Sequence, residues 1–239
     1  MHARHGKRFL NARLLIAALA LTLLTTAGAL AAPPDDRVLP VDQYSSPKGR
    51  ALGEKYATAL QALNKDIYHC LPWVHVEREG IGFFRPKHLG PEIRYLSLEI
   101  TVEQEPSREF AQQSAEQRAS AMFSRYVGPM VRRMTRAAAL VTDPMVDGFT
   151  VIVHWLKPTI EAGTQPVNET IAAFVERSVV ADYLAGRARA SDLAIRATVL
   201  GFDGKTAVGR LTTIQGWEDN FLTTFQIANY RLEPGVTCR

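Results

Sequence analysis

The 239-residue sequence predicts an α+β fold: a mostly antiparallel sheet with an N-terminal helix, a long broken helix and a short helix packed on it. Three observations carry this. Apolar residues recur at helical spacing between residues 47 and 68 and again after residue 107. Leu96, Leu98, Ile100 and Val102 alternate with Ser97, Glu99 and Thr101, as in a half-buried strand with one wet face. Toward the C-terminus, extended segments succeed one another through short turns rather than in regular βαβ units.

The first thirty-one residues concern location rather than fold. Arg4, Lys7, Arg8 and Arg13 form a basic start, an apolar run covers Leu14 to Leu24, and Ala29-Leu30-Ala31 offers a small-x-small exit. That is the layout of a secretory signal peptide. Cleavage is expected after Ala31, before Pro33-Pro34. A retained spanning helix needs about 20 apolar residues, and Thr25, Thr26 and Gly28 weaken the second half of the run. The expected product is periplasmic or secreted, without a spanning membrane segment after processing.

Removal of the leader changes the charge argument. The chain has 28 Lys and Arg against 24 Asp and Glu. Four of the bases and none of the acids lie in residues 1–31, so residues 32–239 carry 24 of each. A polyanion binder keeps its positive charge in the folded domain, so a nucleic-acid partner is not expected. Residues 32–46, with Pro33, Pro34, Pro40, Asp35 and Asp36, read as a linker. Residues 47–239 are long enough for a single α+β domain with a substantial core of its own.

Ser46 and Pro47 supply a capping hydroxyl and a proline for the first turn of a helix over 47–68. Its inner stripe is Leu52, Tyr56, Ala59, Leu60, Leu63 and Ile67. Trp73–Glu79 reads as a strand that turns at Gly80 and Gly82 into Phe83-Phe84. After the alternating strand, Ser107 is placed to cap a long helix through Ala111, Ala115, Ala119, Met122 and Tyr126. Gly128-Pro129 interrupts it, because proline removes a backbone bond. A second helical segment runs from Pro129 to about Leu140, with turn signals after it at Thr142-Asp143-Pro144 and Asp147-Gly148. Phe149–Leu156, apolar at nearly every position, reads as a central strand covered on both faces. Residues 157–168 form a loop and Thr170–Glu176 the next strand. Ser178 starts a short helix from Val179 to about Ala188. The alternation of Leu193, Ile195, Ala197 and Val199 reads as a strand. Asp203-Gly204 suits a tight hairpin turn into a return strand, Val208–Ile214. Phe221–Arg231 reads as the last strand.

Cys70 and Cys238 are the two cysteines. In an oxidising compartment an isolated pair is expected to form one disulfide. It would tie the penultimate residue to the end of the first helix.

Several motifs invite chemistry, and each has a plainer reading. Gly201–Thr206 contains Gly-Lys-Thr, but a phosphate loop needs four residues between its glycines and a helix after them; a hairpin turn fits better. Ser45-Ser46-Pro47-Lys48 has the serine-x-x-lysine spacing of penicillin-binding enzymes without their companion motifs. Helix capping explains its serine. His69, His75, His88 and His154 lack i, i+4 helical spacing, and no two cysteines stand at metal-ligand spacing, so neither a metal nor a cofactor is expected. Trp217-Glu218-Asp219-Asn220 places two acids on one turn, where adjacent side chains point apart. Asn168-Glu169-Thr170 is a glycosylation sequon that matters only in a eukaryotic source.

Two features stay open. His154, between Val153 and Trp155 on the most apolar strand, would need an acidic or backbone partner to fix its tautomer if it were catalytic. Arg125, Arg132 and Arg136 share a helix face, with Arg133 beside them, if the helix continues through Pro129. They would suit phosphate, carboxylate or anionic lipid; a solvated face paired with acids such as Glu116 is the plainer alternative. By elimination, the sequence points to an exported, non-enzymatic binding or accessory protein of the cell envelope. Its expected partner is an envelope protein or a small anionic ligand. The alternatives are an envelope hydrolase assembled in three dimensions around His154, and an anion or lipid-headgroup binder using Arg125, Arg132 and Arg136.

Overall fold

A computed structural model describes residues 32–103, 108–156, 168–202, 211–212, 232 and 236–238. The chain divides after Ala32, and every element named below belongs to the second unit, Pro33–Arg239. The export segment, residues 157–167 of the expected 157–168 loop, the Ser107 cap, the Asp203-Gly204 turn, the Trp217–Asn220 segment and the expected final strand lie outside the described residues. So does most of the return strand. Asn168, expected in that loop, already belongs to a strand.

The α+β reading holds. A five-stranded mixed sheet in the order β1-β2-β3-β4-β5 carries helices on one face. The first helix, α1 (Pro47–Cys70), begins as expected: the Ser46 hydroxyl accepts from the Gly49 N–H at 3.0 Å, and Pro47 opens the first turn. Leu52, Tyr56, Leu60, Leu63, Ile67 and Cys70 are buried along one stripe. Burying these side chains stabilises the fold by roughly 9–18 kcal/mol against an extended chain, and by less against a compact unfolded state.

Residues 33–46 lie along the outside of β1 (Val74–Phe84). Val38 and Tyr44 are buried, the Leu39 N–H donates to the Ile81 carbonyl at 2.8 Å, and the Tyr44 hydroxyl accepts from the Phe83 N–H at 3.3 Å. Gly53 on α1 makes room for this segment, since a Cβ there would stand 2.4 Å from the Tyr44 ring.

The turn expected at Gly80 is instead a bulge within one continuous strand. The register of β1 against β2 (Tyr95–Val102) slips between Val76 and Ile81. Glu79 takes a positive φ of 55°, and a Cβ on Gly80 would sit 2.9 Å from the carbonyl oxygens of Glu77 and Glu99. The glycine therefore allows a close strand approach rather than a reversal.

β2 pairs antiparallel with β1 but parallel with β3 (Gly148–Leu156). The alternation of β2 therefore does not make both of its neighbours antiparallel. β3 and β4 (Asn168–Glu176) are antiparallel, as are β4 and β5 (Thr198–Phe202).

The crossover from β2 to β3 contains α2 (Ala115–Met122), a π turn (Phe123–Val127) and α3 (Gly128–Met134). The described cap of α2 is Ser114, whose hydroxyl accepts from the Gln117 N–H while the Gln117 side chain accepts from the Ser114 N–H. Pro129 does not break the rod. The wider π turn absorbs the missing N–H, and Met122 and Gly128 both keep helical dihedrals. The segment expected to reach Leu140 stops at Met134, where the Thr135 hydroxyl donates to the Val131 carbonyl at 2.7 Å.

After β4, α4 (Arg177–Leu184) starts one residue before Ser178. The strand expected from the alternation at Leu193–Val199 is mostly helix: α5 (Ala190–Arg196) precedes β5. Asp192 accepts from the Arg189 N–H at 2.7 Å and starts the helix, which buries Leu193 and leaves Ile195 62% exposed.

The helices share the sheet face that carries Leu96, Leu98, Ile100, Phe149, Val151 and Val153. Tyr56 on α1 meets Phe83, Arg118 on α2 meets Glu169, and Arg132 on α3 lies over Tyr183 of α4. Among the described residues, no helix is long and apolar enough to cross a membrane.

Candidate functional site: a histidine row on the second face of the sheet

Strand register places His75, Thr101, His154, Thr170 and Phe202 in one row across all five strands, on the face away from the helices. The next row holds Glu99, Ile152, Ala172 and Leu200. Neighbours in a row stand about 5 Å apart, so side chains on this face meet across strands.

The two ends of the face differ. At the start of β2 and β3, Ser97 and Thr150 are buried and the His88 ring packs edge-on against Phe174, with centroids 4.8 Å apart. At the other end Leu156 is 45% exposed, Leu200 39% and Phe202 51%. The β1–β2 side is polar: Glu77 accepts from the Thr101 hydroxyl at 2.5 Å, and His75 Nε2 lies 3.0 Å from Glu103 Oε1. The β5 side is apolar.

His154 sits on the boundary between these halves. Its Nε2 lies 2.8 Å from Glu99 Oε1 and its Nδ1 2.8 Å from the Thr170 hydroxyl. The side chain is 21% exposed. A carboxylate only accepts. Neutral His154 therefore carries its proton on Nε2, donates it to Glu99, and accepts from Thr170 through Nδ1. The acidic partner that a functional histidine requires is present, on the neighbouring parallel strand.

The opposite side of β4 does different work. Glu169, next in sequence to Thr170, points into the helix layer. It accepts from Arg118 Nε at 2.8 Å and from the Trp155 indole at 2.8 Å. The sequon residues Asn168-Glu169-Thr170 thus serve two faces of one strand.

The arginines divide. Arg133 and Arg136 both donate to Asp66 on α1, one to each carboxylate oxygen. The Arg132 guanidinium lies 4.6 Å from the centroid of the Tyr183 ring. Arg125 lies within the π turn, where burial pulls its pKa below the ordinary value. The π turn alters the helical phase between residues 125 and 132, so spacing counted along an ideal helix does not describe them.

The remaining sequence candidates have structural surroundings. Lys48 of the serine-x-x-lysine stretch pairs with Asp147 at 2.7 Å, and Ser46, besides capping α1, accepts from Arg94 Nε at 2.9 Å. His69 stacks edge-on against Tyr68. Among the described residues, no group of three or more His, Cys, Asp or Glu is arranged to hold a metal. The Cys70 and Cys238 sulfurs stand 2.13 Å apart with the Cα atoms at 5.6 Å, within the span a disulfide requires.

A further cluster went unread in the sequence. Asp143 accepts from Lys55 Nζ and the Tyr56 hydroxyl, each at 2.8 Å, and from the Met145 N–H at 2.8 Å. Burial opposes the charged Asp143, but these three bonds outweigh it and hold its pKa below the usual value. Burial and the same carboxylate raise the pKa of Tyr56. No family model matches the chain, and no curated protein or solved structure is similar enough to stand as a relative, so the chemistry of these residues carries the functional argument.

Proposed function

We propose that this chain is an exported, non-enzymatic binding protein of the cell envelope, and that it binds through the second face of its sheet around His154. One observation carries the reading. A histidine held at both ring nitrogens sits where an acidic, hydrogen-bonding half-face meets exposed Leu156, Leu200 and Phe202. A surface of that kind suits an amphipathic partner with apolar side chains and hydrogen-bond donors or positive charge. Export is supported by the leader-like N-terminus and by the disulfide-distance cysteine pair.

The second reading is a hydrolase, favoured by the Glu99–His154–Thr170 relay. Acyl transfer needs a nucleophile beside free backbone donors that can hold an oxyanion. Thr170 lies between β3 and β5, where sheet pairing uses the backbone N–H and C=O groups. That context favours binding over attack.

The test is a photo-crosslinking residue placed at Phe202 and, as a control, at Glu54 on the outer side of α1, in cells that make the protein. The proposal expects a discrete adduct from position 202 and none from position 54. No adduct at 202, or the same adducts from both positions, overturns it.

A further inference from the structure

A second site lies in the helix layer. Ala59, Ala62, Leu63, Asp66, Arg133, Met134, Arg136 and Ala137 surround a depression of about 140 Å³ between α1 and the end of α3. Its walls are methyl and methylene groups, and its polar end is the Asp66–Arg133–Arg136 trio. Arg133 is the informative member. Its side chain is only 6% exposed, yet among the described residues its one hydrogen bond is from Nη1 to Asp66. A guanidinium has five N–H donors, so most of the donors on this buried group are left for the depression it lines. Burial depresses the Arg133 pKa, Asp66 opposes that shift, and Arg136 adds to it as a like charge. Within the trio both guanidinium groups bond the one Asp66 carboxylate.

We propose that this depression binds a small organic carboxylate: the carboxylate accepts from Arg133 and Arg136, and a compact apolar tail lies against Ala59, Ala62, Leu63 and Met134. The size agrees, because an apolar cavity of about 150 Å³ takes a benzene-sized group. Guanidinium forks suit carboxylates, and the shallow apolar walls give nothing to a fully hydrated inorganic anion. The site is on the other side of the sheet from the His154 row, and neither proposal depends on the other.

Benzoate, benzamide and inorganic phosphate are the probes, titrated into the full processed protein by NMR. Benzoate is expected to bind at about millimolar concentration, with benzamide and phosphate each at least about tenfold weaker. Arg136 and Ala62 both reach solvent, so Arg136→Gln and Ala62→Glu leave the core untouched. Unchanged thermal midpoints will verify that. Arg136→Gln is expected to weaken benzoate at least about fivefold and Ala62→Glu at least about tenfold. Equal binding of benzoate and benzamide, phosphate binding as tight as benzoate, indifference to both substitutions, or no benzoate binding up to about twenty times the expected constant each overturns the proposal.

Discussion

Arg118 and Glu169 join the crossover helix to β4 through a buried ion pair, with Nε to Oε2 at 2.8 Å, and the Trp155 indole donates to the same oxygen. Both side chains are almost wholly removed from water. Replacing one member leaves the other charged and desolvated. Glu169→Gln is therefore expected to cost about 3–5 kcal/mol in urea unfolding. The double change Arg118→Met with Glu169→Leu should cost clearly less, because no charge is stranded. A double variant as unstable as the single would show that the pair is not what anchors α2 to the sheet.

Asp143 gives an acid-side prediction. Its folded-state pKa lies below the unfolded value. Its contribution is therefore complete above about pH 4 and is lost as pH falls through the folded value. Asp143→Asn should lose about 2 kcal/mol at neutral pH. The gap to the parent protein should close as the solution is acidified. A gap that stays constant with pH would remove the charge from this explanation.

Tyr95 predicts the alkaline limit. Burial, then the nearby charges of Glu176 and Asp147, raise its pKa to about 12. A raised folded-state value means stability that is full below the ordinary tyrosine pKa of about 10 and declines as pH rises from there toward the folded value. Tyr95→Phe should unfold less readily than the parent above about pH 10 and match its pH dependence near neutrality. Identical alkaline profiles would refute the assignment.

The cysteine pair spans 168 residues of sequence. Chain-entropy reasoning puts the upper figure for such a crosslink at about 5 kcal/mol. Reduction, or Cys70→Ser with Cys238→Ser, should lower the urea midpoint without changing the native spectrum. Denatured, unreduced protein should expose no free thiol, and two titratable thiols would contradict the bridge.

The legible parts of the sequence were those with local causes. Ser46-Pro47 and the 3.6-residue stripe specify α1 within one segment, and the alternation of Leu96–Val102 specifies β2. The misread parts depend on neighbours distant in sequence. The glycine at position 80 looks like a turn until the Glu99 carbonyl is known to press against it. Leu193 and Ile195 alternate as in a strand, but Asp192 caps a helix first. Nothing near His154 announces Glu99, fifty-five residues earlier, because only the parallel register of β2 on β3 brings them together. The one sequence signal for that pairing was weak: a single acid on the wet face of β2 and a single histidine on a mostly apolar β3.

The central claim concerns that face. Its most direct measurement is amide hydrogen exchange on the protein in intact envelopes compared with the purified protein. Binding through the His154 row predicts added protection at Ile152–Leu156 and Thr198–Phe202, with the outer side of α1 unchanged. Equal exchange in both settings, or protection confined to α1, would contradict it.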